Sequence, residues 1–224
     1  MPSPLLKYPE ATVVLPAWIC PPAAYYAVMA RFGHAKVVSA LPFNKRIKSF
    51  HRFDIADVNG RQQITIPIVK PEHTHGALWS DILVSSHNSW WNIARTALAS
   101  AYGRTPFYEF LADEVNAMLD NPVTPAGTTS LHDISEGFDR LTRRLLQLDT
   151  EVEYISDPSE NISGGLDLTR PEALEKAMNE LPAIVYRQVR QQSLGFISGL
   201  SILDLIFNLG HEAPLCFPIF HQQD

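Results

Sequence analysis

Ser201, Asp204 and Asn208 interrupt an otherwise apolar stretch, GLSILDLIFNLG (199–210), at steps of three and four. At about 100° per residue the three fall within about 60° of one another on a helix, so they form one polar stripe on a segment whose other faces are oil. That stripe has two readings. As local structure, Ser201 caps the helix, Asp204 takes the third helical position of a capping box, and Asn208-Leu209-Gly210 closes it. As chemistry, a helix packed on every other side turns its one polar face toward a pocket.

A second cluster, FNKRIKSFHRF (43–53), gathers Lys45, Arg46, Lys48, His51 and Arg52 between aromatics. It reads either as a solvated strand edge guarded by cations or as a mouth for phosphate or carboxylate, because arginine offers a two-pronged fork to such groups. Other chemistries lack their spacing. His73 and His75 have no second ligand pair at helical distance, so no metal site is expected. SGG (163–165) lacks the lysine and helix of a phosphate loop, and no GxSxG elbow occurs. Cys20 beside Pro21 reads as a small buried thiol rather than a nucleophile.

These residues need elements to position them. ATVVLPAW (11–18) reads as a buried strand, PPAAYYAVMARFG (21–33) as a helix opened by proline and closed by Gly33, and AKVVSAL (35–41) as a strand parallel to the first. Asn59-Gly60 between two alternating runs signals a hairpin, and DILVSS (81–86) a further strand. From 88 to 148 the pattern turns helical. Trp91, Ala94, Leu98, Ala101 and Tyr102 share one face; a helix starts at Thr105-Pro106 with Phe107, Phe110, Leu111, Val115 and Met118 at helical spacing; and Ser130 to Asp133 opens a third with a capping box. Ile134, Phe138, Leu141, Leu145 and Leu148 form its inner stripe, with Arg140, Arg143 and Arg144 outside. TEVEYIS (150–156) alternates as a strand, PEALEKAMNEL is a short helix, and PAIVYRQVRQ is expected to be a strand. The fold class expected is α/β, a mixed sheet with an N-terminal strand-helix-strand unit plus hairpin packed with helices; α+β is the alternative.

The chain has 224 residues, 46% of them hydrophobic, which suits one domain over residues 1–224. Eighteen Lys and Arg against 24 Asp and Glu leave a net charge of −6, which disfavours a general grip on nucleic acid or anionic lipid. The opening MPSPLLKYPEATVVLPAW lacks the order of a secretory signal, and no run of about 18 apolar residues appears, so a cytoplasmic protein without a membrane span is expected. Cys20 and Cys216, near opposite ends, are expected to remain free thiols.

Four segments occur in the order found in one family. LPAWICPPAAYYA, HRFDIADVNGRQQITIPI, WWNIARTALASAYGRTPFYEFLADEV and VYRQVRQQSLGFISGLSILDLIFNLG resemble the proline-aromatic opening, hairpin, helical pair and closing motif of WbqC-like proteins, a bacterial family found with surface-polysaccharide and amino-sugar genes. His51 stands where the family commonly has Asn, and the middle segment is shortened to ISDPSENISGGLDL. The resemblance implies a transferase or ligase acting on amino sugars or related anionic metabolites, with a non-catalytic binding or assembly protein as the alternative. It names no cofactor and no oligomeric state. Its matching positions include Tyr25, Arg52, Tyr102, Tyr186, Gln188, Ser201, Asp204 and Asn208. On that footing Asp204, with Ser201 and Gln188, positions or deprotonates a nucleophile. Arg52, Lys48, His51, Tyr25, Tyr102, Tyr186 and Asn208 hold a small anionic substrate.

Overall fold

The computed structural model describes residues 7–124 and 127–217. The first six residues, on which the expectation of no leader partly rests, lie outside the described residues. Among these, the chain is α/β, built on a four-stranded sheet in the order β7-β2-β1-β8 with every pair parallel. Its strands are β1 (Tyr8–Pro16), β2 (Phe32–Val38), β7 (Glu151–Ile155) and β8 (Leu166–Asp167), and α1 (Ala23–Met29) crosses from β1 to β2. Val13, Leu15 and Val37 are fully buried, as strands between helices require. Gly33 does not stop α1, which ends at Met29; it lies inside β2, where a Cβ would collide with the Pro9 carbonyl.

The hairpin of β3 (Arg52–Asp57) and β4 (Gly60–Thr65) is a separate antiparallel sheet, not part of a mixed one. Asp57 pairs with Gly60, so Val58 and Asn59 are the turn residues, one position earlier than the Asn-Gly signal implies. Residues 81–86 form no strand and make only isolated bridges, Ile68 to Val84 and Leu83 to Ser130. A further short pair joins β5 (Val123–Thr124) to β6 (Gly127–Thr128).

The helical section holds α2 (Trp90–Tyr102), α3 (Tyr108–Met118) and α4 (Leu131–Leu145). Trp90, not Trp91, takes the buried position on α2, because it precedes Ala94 by four residues and so shares the buried face of Ala94, Leu98, Ala101 and Tyr102. Thr105 closes α2 rather than capping α3, its hydroxyl donating to the Tyr102 carbonyl at 2.7 Å. Phe110 is 75% exposed, outside the inner stripe expected of it. The α4 capping box forms as expected: Ser130 Oγ accepts from the Asp133 amide at 3.0 Å, and Asp133 Oδ2 accepts from the Ser130 amide at 3.1 Å. Arg143 of its outer face turns inward onto Asp139 at 2.8 Å and onto the Tyr154 hydroxyl at 3.0 Å.

Two short helices follow, α5 (Pro171–Asn179) and α6 (Gln191–Leu194), and then α7 (Ile202–Leu209). PAIVYRQVRQ carries no strand. The all-round oil of α7 has a direct cause, since the helix divides two apolar cores. Leu203 and Phe207 pack with Phe53, Ile55, Leu98 and Tyr102, while Ile202, Leu205 and Ile206 pack with Val13, Leu15, Tyr25 and Tyr26. Each such burial is worth about 1.5–3 kcal/mol, so this short helix binds the sheet to the helical section.

Candidate functional site

The polar stripe of α7 does not open onto solvent. Ser201 caps the helix, its Oγ accepting from the Leu203 amide at 3.2 Å. The reciprocal arm of the box is missing, because the Ser201 amide donates to the Asp54 carbonyl at 2.8 Å and frees the Asp204 carboxylate to turn elsewhere. Oδ2 of Asp204 accepts from the Tyr186 hydroxyl at 2.5 Å and from Gln188 Nε2 at 3.1 Å, and the Tyr102 hydroxyl also bonds this carboxyl. Asn208 Oδ1 accepts from the Val189 amide at 2.9 Å, and its Nδ2 donates to the Asp204 carbonyl at 2.7 Å. Gln188 in turn grips the backbone of Ile197 at both N–H (2.9 Å) and C=O (2.8 Å), as a neighbouring strand would. The stripe therefore fastens segment 186–197, whose backbone has no ladder, onto the core.

Asp204 is 1% exposed. Burial pushes its carboxyl above the usual range, opposed by the hydrogen bonds from Tyr186, Tyr102 and Gln188. The same environment raises the Tyr186 and Tyr102 hydroxyls, by burial first and the neighbouring carboxylate second. Tyr25 is equally enclosed, donating to the Pro16 carbonyl at 3.0 Å. These groups hold structure in place and present no reactive atom to a cleft.

A different set of residues lines open space. A cleft of about 370 Å³ follows the carboxyl end of β1 and is walled by Trp18, Cys20, Lys48, Arg52, Asp54, Gln63 and Ser201. In open parallel sheets, ligands bind at this edge, where the chain leaves the central strand in opposite directions. Here β2 lies on one side of β1 and β8 on the other. Trp18 anchors the hairpin there, its indole N–H donating to the Arg52 carbonyl at 3.3 Å.

The hairpin supplies the polar wall by simple alternation. Arg52 opposes Thr65, Asp54 opposes Gln63 and Ala56 opposes Arg61 on one face, while Phe53, Ile55 and Ile64 go to the core on the other. Arg52 Nη1 donates to Gln63 Oε1 at 3.1 Å, and its Nε is buried without a partner. Asp54 is held from both sides, by Arg61 at 2.8 Å and by Gln63 Nε2 at 3.2 Å. Arg61 continues to the Ser198 and Gly199 carbonyls at 2.5 and 3.4 Å, tying the hairpin to the loop that leads into α7.

Of the ten residues marked by the sequence, Arg52, Lys48 and Ser201 line the cleft. Asp204, Gln188, Tyr186, Tyr102 and Asn208 converge on one another behind it. Ser201 belongs to both, its side chain engaged in the cap. His51 faces away, its ring over Trp79 and its Nδ1 bonded to the Ile66 carbonyl at 2.8 Å. Asp54, Gln63, Trp18 and Cys20 were not marked. Asp54 and Gln63 were accessible to period-two alternation from Arg52. Cys20 sits at φ 45°, a conformation that marks a constrained turn. Burial raises its thiol, so it is no ready thiolate. Both cysteines are free. Among the described residues no three of His, Cys, Asp or Glu converge to hold a metal ion, and no helix is long and apolar enough to cross a membrane.

His51 gives the first prediction. Burial lowers its pKa, with Arg52 and Lys48 adding to the effect and the Ile66 carbonyl opposing it. A lowered pKa in the fold means that the unfolded chain takes up the proton first, so stability from this group is present above about pH 6.5 and lost as pH falls below it. His51→Asn keeps a donor for the Ile66 carbonyl and removes the titration. Melting temperatures from pH 7.5 to 5 fall less steeply for H51N than for the parent; parallel curves would refute the assignment.

The fold and the cleft define an α/β protein with a cationic pocket at the carboxyl edge of a parallel sheet. The chain belongs to the WbqC-like protein family, whose sequence model matches residues 17–163. That span covers the cleft-lining residues from Trp18 to Gln63 and stops short of α7. No curated protein and no solved structure matches the chain.

Proposed function

We propose that this protein is a cytoplasmic transferase or ligase of surface-polysaccharide biosynthesis in bacteria, which binds a small anionic metabolite of the amino-sugar class in the cleft beside β1. One observation carries the reading: Lys48, Arg52 and Asp54 share a single pocket at the sheet's carboxyl edge. The volume suits a small molecule. The two cations take a phosphate or carboxylate, and Asp54, held in place by Arg61 and Gln63, meets a hydroxyl or amino group of the same ligand. Burial pushes the Cys20 thiol up and the Ser201 hydroxyl caps a helix, which supports a site that orients two reactants rather than one that uses either group as a nucleophile. Asp204, Gln188, Tyr186, Tyr102 and Asn208 act behind the wall, holding the loop that carries Gly199 and Ser201.

A second reading, a non-catalytic binding protein, draws on the absorption of Asp204 into the fold. Both readings share the cleft, and turnover separates them.

The test is thermal protection by amino-sugar phosphates, nucleotide sugars and their neutral parent sugars, since a ligand that binds only the folded state raises the melting temperature. Charged compounds shift the parent protein and neutral sugars do not. Arg52→Ala weakens the binding about tenfold or more while the unliganded melting temperature stays close to that of the parent, because the side chain is only partly buried. Absence of any shift across the anions, or equal shifts in R52A, would sink the proposal.

A further inference from the structure

The cationic cleft has an apolar neighbour. A second cavity of about 380 Å³ is lined by Ala24, Met178, Ile184, Phe196 and Leu200, with the ring of Tyr186 at its back. The two cavities share Pro22 and Gly199 in their walls. Between them runs a thin partition, the single backbone bridge from Pro22 to Ser201. It has no bulk at Gly199, which sits at φ 66° with no side chain and with open space around the position a Cβ would take, apart from the Arg61 guanidinium at 4.0 Å.

Resting on the anion-binding reading above, we propose that the ligand of this protein is amphiphilic: its anionic group is held by Lys48 and Arg52, and an apolar moiety such as a short acyl or alkyl chain crosses Gly199 into the second cavity. The division of chemistry between the halves supports this occupant. Charged side chains line only the first, whereas aliphatic and aromatic side chains predominate in the second, with Asn179 and Ser198 its polar members. The hydroxyl of Tyr186 is withdrawn to Asp204, so this residue offers the second cavity a ring and not a donor. The network behind the wall thereby acquires a role at the site. By fixing Tyr186 and, through Gln188, Ile197, it shapes the apolar half while remaining out of contact with the anion.

The experiment compares methyl phosphate with n-hexyl phosphate by calorimetry, below the concentration at which the longer compound self-associates. Methyl phosphate reports the cationic half alone. Hexyl phosphate adds methylenes that leave water on entering the apolar half, so it binds the parent protein at least about tenfold tighter. Ala24→Phe, which fills the second cavity, and Ile184→Glu, which charges it, both remove that advantage and leave the methyl phosphate affinity unchanged; that retained affinity also shows that each variant is folded. Arg52→Ala weakens both compounds. Equal affinity of the two phosphates for the parent, or an advantage for hexyl phosphate that survives in A24F and I184E, overturns the amphiphilic assignment while leaving the anion site standing. Failure of methyl phosphate to bind at all overturns the anion site itself.

Discussion

Replacing Asp204 by alanine lowers the free energy of unfolding by about 3–4 kcal/mol, read from urea denaturation. The size follows from what is left behind. Tyr186, Gln188 and Tyr102 all direct donors at this carboxyl inside a space closed to water. Each buried donor without an acceptor costs about 1–3 kcal/mol, and partial rearrangement keeps the total below the full sum. The damage spreads along the chain, because Gln188 also holds Ile197 and the neighbouring Asn208 holds Val189.

Asp204→Asn separates geometry from charge. Both Tyr186 and Gln188 bond the same carboxylate oxygen, which the amide oxygen of asparagine can replace, so this variant loses only about 1 kcal/mol. The sign of its pH dependence also follows. Burial raises the Asp204 pKa in the fold, so below the unfolded value near pH 4 the carboxyl is neutral in both states and costs nothing. As pH rises through the raised folded value, the buried charge erodes stability. D204N has no such group, and its deficit against the parent is therefore largest in acid and shrinks toward neutrality. If D204A unfolds at the parent's midpoint, Asp204 is not the support of segment 186–197, and its place as a reactive group reopens.

The elements that were legible in the sequence are those whose causes are local. The capping box of α4 needs only Ser130 and Asp133, three residues apart, and forms as read. The strand-helix-strand opening is written in apolar runs and a proline, and its parallel pairing follows from chain length. Where distant partners decide, local signals mislead. Leu166 and Asp167 lie in a polar glycine-bearing stretch with no strand signature, and become β8 only because β1 offers them a ladder. PAIVYRQVRQ has the composition of a strand, yet its Gln188 and Val189 amides donate to the side chains of Gln191 and Asn208 rather than to a neighbouring strand. The site divides in the same way. Arg52 was visible as a charge out of place, and Asp54 and Gln63 follow once β3 and β4 are set in register. That Asp204 bonds Tyr186 instead of closing its own capping box depends on the Asp54 carbonyl having already taken the Ser201 amide. No spacing within GLSILDLIFNLG contains that fact.

At the other end of α7, Gly210→Ala costs about 2–4 kcal/mol of folding free energy. Two independent terms of the geometry converge there. Gly210 sits at φ 54° and ψ −124°, a conformation that side-chain-bearing residues resist, and it satisfies the Ile206 carbonyl as the helix closes. A Cβ would also enter the ring of Phe107, reaching its Cε1 at 2.5 Å and its Cγ at 2.6 Å. The ring cannot retreat freely, because the Phe107 amide donates to the Phe207 carbonyl at 3.1 Å and the ring also packs edge-on with His211. Backbone strain and overpacking are separable by a double-mutant cycle. In a Phe107→Ala background the clash is gone, and G210A then costs only the strain of the positive φ, about 1–2 kcal/mol. Additive losses across the cycle would show that Phe107 does not enforce this glycine. The predicted coupling would instead establish that the start of α3 and the end of α7 are fitted to each other, which holds Asn208 and the loop behind the cleft in register.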